Sequence, residues 1–97
     1  MALALTQDFD DGTQATYWRI YESNLCWAED RGVIAVAGYI SEDVRKAGKR
    51  PLRVIQITFE GPGFQGFRAS VDENQDLLTL LYGVVKQQQV FDGAKDI

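Results

Sequence analysis

Aromatic and β-branched side chains dominate residues 16–27, where they stand among polar ones. In a strand, Trp18 and Ile20 would share one face and Tyr17 and Tyr21 the other, because successive side chains point to opposite sides. Residues of these types fit a pleated, half-buried surface better than they fit a helix. The pattern therefore predicts a strand over residues 16–27.

Three further segments have strand-like patterns, and they are 33–40, 52–59 and 67–71. The run 33–40 is almost entirely apolar, which is typical of a central strand that is buried on both sides. Its small residues Ala35, Ala37 and Gly38 would allow a neighbour to pack closely. A glycine-ended loop at 28–32 predicts a hairpin between this run and the first strand.

A helical pattern appears only late in the chain. It begins at Asp72, whose spacing to Gln75 is that of a capping box. Apolar residues then recur with helical period at Leu77, Leu78, Leu80, Leu81, Val84 and Val85. Gly83 within this run predicts close packing of the helix on the sheet. After Ser41, which is a good N-cap residue, we expect residues 42–47 to form one or two helical turns or an ordered loop.

The order of these elements, strands first and a helix last, predicts an α+β fold. We expect an antiparallel β-meander of about four strands, with one C-terminal α-helix packed on one of its faces. A chain of 97 residues has the size of one ordinary domain. We therefore expect a single domain over 1–97 with loose ends at 1–15 and 90–97, where Val90 and Phe91 are the last residues expected to dock.

The chain is acidic, with a net charge of −4. Nucleic-acid binding rewards Lys and Arg through counterion release, so this charge argues against it. The single cysteine, Cys26, cannot form an internal disulfide, and we expect it to act as a small buried hydrophobe with no basic partner. The sequence has no signal-peptide pattern and no apolar stretch of roughly 20 residues, so we expect a cytoplasmic protein without membrane contact.

The composition also excludes several kinds of catalytic site. The chain has no histidine, which excludes Ser-His-Asp and Cys-His catalysis and every zinc site that needs imidazole. One cysteine cannot make a four-cysteine metal site or a redox pair. We expect no enzyme activity, no cofactor and no metal. A small carboxylate-dependent hydrolase is a weaker alternative, since composition alone does not exclude paired carboxylates.

Two short segments resemble a dinucleotide-binding loop and a calcium-binding loop in residue spacing, but their sequence context does not fit either site. Residues 61–66 read Gly-Pro-Gly-Phe-Gln-Gly, the spacing of a dinucleotide-binding loop. That loop needs a helix starting at the glycines, whereas we expect a turn followed by the strand 67–71. The acidic stretch 8–11 suggests calcium, but the sixth and twelfth positions of an EF-hand loop hold Thr13 and Arg19. We therefore predict a solvated acidic turn.

Half of the ten basic residues lie within nine positions, and these five, called here the basic lobe, are Arg45, Lys46, Lys49, Arg50 and Arg53. Such a cluster could contact an anion, a nucleic acid or an acidic partner. The alternative is a solvated loop whose charges are offset by Glu42 and Asp43.

A second candidate surface is aromatic, and it consists of Tyr17, Tyr21 and Trp27. One helix is too small to cover all three, and aromatic side chains left outside would mark a protein–protein interface. The alternative is that residues 1–9 or the C-terminal tail cover them.

Several segments together resemble a group of small phage and prophage proteins encoded near tail structural genes. They are Ala-Thr-Tyr-Trp-Arg-Ile at 15–20, Ala-Gly-Tyr at 37–39 with Arg-Lys-Ala-Gly-Lys-Arg-Pro-Leu at 45–52, and Phe-Asp-Gly-Ala-Lys at 91–95. The resemblance covers most of residues 15–95, and its first two parts are the most specific. The group has no established biochemical activity, so the resemblance implies no catalytic residues.

The resemblance implies a tail-associated structural or assembly protein that acts through protein–protein contacts. Separately, the unprotected strand edges and the aromatic surface predict self-association, most simply as a two-fold dimer, through the aromatic face of the first strand or an exposed strand edge. The resemblance adds other phage structural proteins as expected partners of this chain. Its expected location is then the host cytoplasm or the virion. The alternative function is a small binding module that contacts nucleic acid or another polyanion through the basic lobe.

Overall fold

The protein is an antiparallel sheet with helices packed mainly on one side, as a computed structural model describes it for residues 2–72 and 76–97. The strands are β1 (Leu3–Asp8), β2 (Gln14–Cys26), β3 (Arg31–Tyr39), β4 (Arg53–Glu60) and β5 (Lys95–Asp96). The helices are α1 (Glu42–Lys46), α2 (Pro62–Asp72) and α3 (Leu77–Lys86), with 3₁₀ turns at Trp27–Glu29 and Gln89–Phe91. The order across the sheet is β4-β3-β2-β1-β5. The predicted α+β class and antiparallel sheet are confirmed, but the described residues form five strands where about four were predicted and three α-helices where one was predicted.

The predicted strand at 67–71 is wrong, because this segment belongs to α2. Its apolar residues Phe64, Phe67 and Val71 are spaced three and four positions apart, so they share one face of a helix as well as they fit a strand. Phe64 and Phe67 are buried on that face. Pro62, at the first helical position, is well suited to start the helix. The fold therefore has a second long helix where a turn and a strand are expected.

Both ends of the chain join the sheet, where the sequence predicts loose segments. Residues 3–8 form β1, and Leu3 is fully buried. The tail returns beside it, since β5 pairs with β1 in the register Leu3–Asp96 and Ala4–Lys95. Phe91 is fully buried, so the prediction that it docks is confirmed. The ends are ordered because each carries one large apolar side chain into the same core.

Trp18 lies at the centre of that core and is fully buried. Its indole N–H donates to the carbonyl of Leu5 at 2.9 Å, which pairs the one polar atom of the side chain. The ring of Phe91 meets it edge-on, with centroids 5.1 Å apart. On the adjacent strand a Cβ at Gly38 would lie 2.6 Å from the Trp18 ring, so only glycine fits there. The close approach predicted at Gly38 is confirmed.

Helix α3 covers the same face of the sheet and buries Leu81, Tyr82 and Val85. The Tyr82 hydroxyl accepts a hydrogen bond of 3.0 Å from the backbone N–H of Ile20, beside a register shift in β2. This bond supplies a partner to a backbone group at the irregular point of the strand. The sheet contact predicted for Gly83 is wrong, because no atom would lie within 4 Å of a Cβ there.

The start of α3 also differs from the prediction. Asp72 is the last residue of α2, and the rest of the predicted capping box, 73–75, lies outside the described residues. The N-cap is Asp76, whose carboxylate accepts from the backbone N–H of Thr79 at 3.0 Å and from its hydroxyl at 2.8 Å. The N-cap predicted for the shorter helix is confirmed, since Ser41 accepts from the N–H of Val44.

Leu81→Ala should destabilise the fold by about 2–5 kcal/mol, because it leaves a cavity between α3 and the sheet. Leu81 is 3% exposed, whereas Leu78 on the same helix is 45% exposed. Leu78→Ala is the control. Thermal and urea unfolding of Leu81→Ala and Leu78→Ala compare the loss of a buried leucine with the loss of an exposed one. A melting temperature that falls equally little in both variants would show that α3 is not part of the core.

The cap at Asp76 should make stability depend on pH. The hydrogen bonds from the Thr79 hydroxyl and backbone lower the pKa of Asp76 below its ordinary 3.8. Because the pKa of Asp76 is lower in the folded than in the unfolded protein, its ionised carboxylate stabilises the fold above pH 3.8. This stabilisation is lost as the pH falls through the pKa of the folded protein.

Asp76→Ala should therefore lower the melting temperature at pH 7, and the difference from wild type should shrink as the pH falls below 3.8. Asp92→Ala, which removes an exposed carboxylate at the end of the second 3₁₀ turn, is the control. Circular dichroism melts across the pH range measure both. A difference between wild type and Asp76→Ala that is the same at every pH would contradict this account of the cap.

Candidate functional site

The face of the sheet opposite α2 and α3 is covered at only one end in the described structure. There, Tyr17, Tyr39, Ala2 and Ala37 form a small buried cluster against Val44 of α1. Beyond α1 the face is open and holds three shallow cavities of about 200–290 Å³. Their lining includes polar side chains of β2 and β4, namely Arg19, Glu22, Asn24, Gln56 and Thr58. This face is therefore available for contact with another molecule.

Strand β4 forms one edge of the sheet, and its outer side pairs with no other strand in the described residues. The N–H of Gly61 donates to the carbonyl of Asp30 at 3.2 Å, one step beyond the last β3–β4 pair. Hydrogen-bonded and non-hydrogen-bonded pairs alternate along an antiparallel ladder. The backbone N–H and C=O groups of Val54, Gln56 and Thr58 therefore point outward, and their side chains are exposed.

The three predicted interface aromatics do not form one surface. Tyr17 is 6% exposed under α1, whereas Tyr21 is 63% and Trp27 43% exposed. Trp27 lies beyond the end of β2 and stacks on Phe67, with the guanidinium of Arg68 over its ring. The three are separated because α1 covers Tyr17, whereas Tyr21 stays exposed beside the cavity of Arg19 and Tyr39, and Trp27 lies past the strand end.

The basic lobe is also divided. Lys46 is paired with Glu42 at 2.9 Å, and this contact lowers the pKa of the Glu42 carboxyl and raises that of the Lys46 amine. The guanidinium of Arg53 lies 3.7 Å from the carboxylate of Asp11, which is in the turn between β1 and β2. Within the described part of the chain, two members of the lobe are exposed without an ion pair, and they are Lys49 and Arg50.

Arg45, the fifth member, faces the sheet, and its guanidinium lies 5.8 Å from the centroid of the Tyr17 ring. Its Nε atom is buried and has no hydrogen-bond partner. Arg45 shares a cavity of about 290 Å³ with Arg19, Tyr21, Ala37 and Tyr39. The sequence does not indicate Arg19 as a site residue, because Arg45, its neighbour in this cavity, lies 26 residues later in the chain, on a helix.

Residues 62–66 of the glycine motif lie inside α2, so the turn and the strand expected there are wrong. Every strand pair in the described residues is nevertheless antiparallel. The parallel crossover that presents a dinucleotide to such a loop is therefore missing from this part of the chain.

The acidic stretch 8–11 forms the turn between β1 and β2. The carboxylate of Asp11 accepts hydrogen bonds from the hydroxyl and the backbone N–H of Thr13, which lower its pKa. No group of three or more His, Cys, Asp or Glu side chains among the described residues could hold a metal ion. Asp11 thus stabilises its own turn.

Cys26 is half-buried at the end of β2. It pairs in register with Arg31, and the two line one cavity of the open face. The expectation that no basic residue lies nearby is therefore wrong, because the hairpin brings Arg31 across from it.

No helix in the described residues is long and apolar enough to span a membrane. Comparison with protein-family models, with curated proteins and with solved structures finds no match to this chain. The surfaces on which a function can be based are therefore those of the fold itself: the outer edge of β4, the open sheet face and the cavity between Arg19 and Arg45.

Proposed function

We propose that this chain is an assembly protein, which acts through protein–protein contacts rather than catalysis and associates with itself along β4. The observation that carries this proposal is the unpaired outer edge of an eight-residue strand. Such an edge presents a row of backbone donors and acceptors to another strand. Natural proteins commonly protect long edges with charges or prolines, but Val54–Thr58 contains neither.

The charges of β4 favour pairing with a second copy in antiparallel orientation. The strand begins with Arg53 and ends with Glu60. Antiparallel pairing about a two-fold axis brings the positive end of one strand towards the negative end of the other, whereas parallel pairing brings like charges together. A two-fold contact of this kind is closed, so the expected product is a dimer.

Apolar surface beside the edge would add to the contact. A cavity of about 500 Å³ lies along β4 and is lined by Ile55 and Ile57 together with Gln88, Gln89 and Val90. Val90, which lines this cavity, and Val54 on β4 itself are exposed large hydrophobic residues. A stable interface needs about 1,000 Å² of buried surface in total, which strand pairing alone does not supply. The side chains beside the edge would supply the remainder.

The resemblance of segments 15–20, 37–39 and 45–52 to small phage and prophage proteins supports a phage tail as the setting. Tail structures are built from repeated protein contacts, and a free strand edge suits that role. We therefore propose that the partners are a second copy and other phage structural proteins, in the host cytoplasm or the virion.

Lysines at the outward positions of β4 should abolish self-association. Gln56→Lys combined with Thr58→Lys adds like charges across the two-fold contact while leaving the packed face of β4 unchanged. Light scattering coupled to size exclusion should give twice 10.9 kDa for wild type and 10.9 kDa for the variant.

Gln65→Lys, an exposed change on α2, is the control and should remain dimeric. A wild-type chain that stays at 10.9 kDa at high concentration, or a double variant that still dimerises, would contradict pairing through β4.

The phage setting is tested separately, by deleting the gene for this chain from the phage or prophage genome that carries it. Deletion should remove or shorten tails in electron micrographs of particles, and wild-type complementation should restore them. Normal infectious tails without the chain would overturn the tail role, even if the isolated protein dimerises.

Polyanion binding is the second candidate function, since Lys49 and Arg50 remain exposed without ion pairs in the described structure. The acidic chain and the pairing of Lys46 and Arg53 predict no tight binding to duplex DNA. A fluorescence titration at several salt concentrations measures this. Binding that weakens steeply with salt and disappears in the Lys49→Ser, Arg50→Ser variant would favour this second function.

A further inference from the structure

Two arginines meet at one cavity on the open sheet face, and they come from different elements. Arg19 lies on β2 directly across from Ala37 of β3, and the pair before it on the same face of the sheet, two positions earlier, is Tyr17 with Tyr39. The small Ala37 side chain leaves space between Arg19 and Tyr39. Helix α1 places Arg45 over this space. The result is a pocket of about 290 Å³ that both arginines line.

No carboxylate lines this pocket among the described residues. Glu42 of α1, whose pKa is lowered mainly by Lys46 and further by Arg45, is already bonded to Lys46. Glu22 lines a different cavity further along β2. The two guanidinium groups therefore share a cavity without a negative charge to offset them, although the chain as a whole is acidic.

The guanidinium of Arg45 is held in place before any ligand arrives. Arg45 lies over the ring of Tyr17, which in turn meets Tyr39 edge-on with centroids 6.3 Å apart. The Arg45 Nε atom is buried and lacks an acceptor. The burial of this atom shows that the Arg45 side chain is packed against the sheet and is not free in solvent. Little side-chain freedom is lost when such a braced group binds.

We propose that this pocket, called here the Arg19–Arg45 pocket, binds one small oxyanion, either a carboxylate or a phosphate group. Guanidinium groups bind both chemistries through paired N–H donors. The hydroxyls of Tyr21 and Tyr39, which line the same pocket, are further donors of the right kind. A volume near the lower end for ligand sites suits a single anionic group rather than a polyanion. This inference does not depend on dimerisation through β4.

Nuclear magnetic resonance of the ¹⁵N-labelled chain tests it directly, because the Nε–H of Arg45 gives its own signal. The probes are inorganic phosphate and acetate, each titrated at constant ionic strength against sodium chloride. We expect one or both probes to shift the Arg45 Nε–H and the amides of Ala37 and Tyr39 with saturation. The probe that saturates at lower concentration identifies the preferred chemistry.

Arg19→Gln and Arg45→Gln should each weaken binding at least about tenfold, the loss expected when one charged hydrogen bond is removed. Arg50→Gln, an exposed change in the same lobe, should bind like wild type. Arg19 lies outside the buried clusters, so its variant tests binding even if Arg45→Gln unfolds. The proposal would be overturned if the chemical-shift changes rose linearly with probe concentration without saturating. Changes that sodium chloride reproduced, or that remained in Arg19→Gln, would overturn it as well.

Discussion

The packing of Trp18 is the contact on which the rest of the structure depends. One indole links three parts of the chain, since its N–H bonds Leu5 of β1, its ring fills the space above Gly38 of β3, and Phe91 of the tail packs against it. A large aromatic group that is fully buried removes more apolar surface from water than any other single side chain here. The ordering of both chain ends follows from this one site.

Burial of one sheet face has a direct consequence for the other. Helices α2 and α3 pack on the side of Trp18, with Phe59, Phe64 and Phe67 in mutual ring contact. The connection between β3 and β4 contributes only the short helix α1 to the opposite side. An antiparallel sheet tolerates a solvated face. The candidate surfaces arise from this unequal coverage, because the open face and the β4 edge lie where no long helix packs.

The register shift in β2 connects the core to the candidate sites. Before it, strand alternation places Trp18 in the core and Arg19 on the open face. After it, Glu22 rather than Tyr21 pairs with β3. The bond from Ile20 to the Tyr82 hydroxyl holds the shifted point against α3. The register shift in β2, which is bonded to α3 on one face of the sheet, thus also affects which β2 side chains border the Arg19–Arg45 pocket on the other face.

The sequence alone determined the elements whose signals are local: the three long strands, the helix cap at Ser41 and the close approach at Gly38. Alternation, capping chemistry and residue size act over a few neighbours, so they can be read along the chain. Only the tertiary structure decided that 62–72 is a helix, because its spacing of apolar residues fits either element until a packing surface selects one. The meeting of Arg19 with Arg45 likewise depends on β-pairing and helix docking, which bring together residues that no local pattern relates.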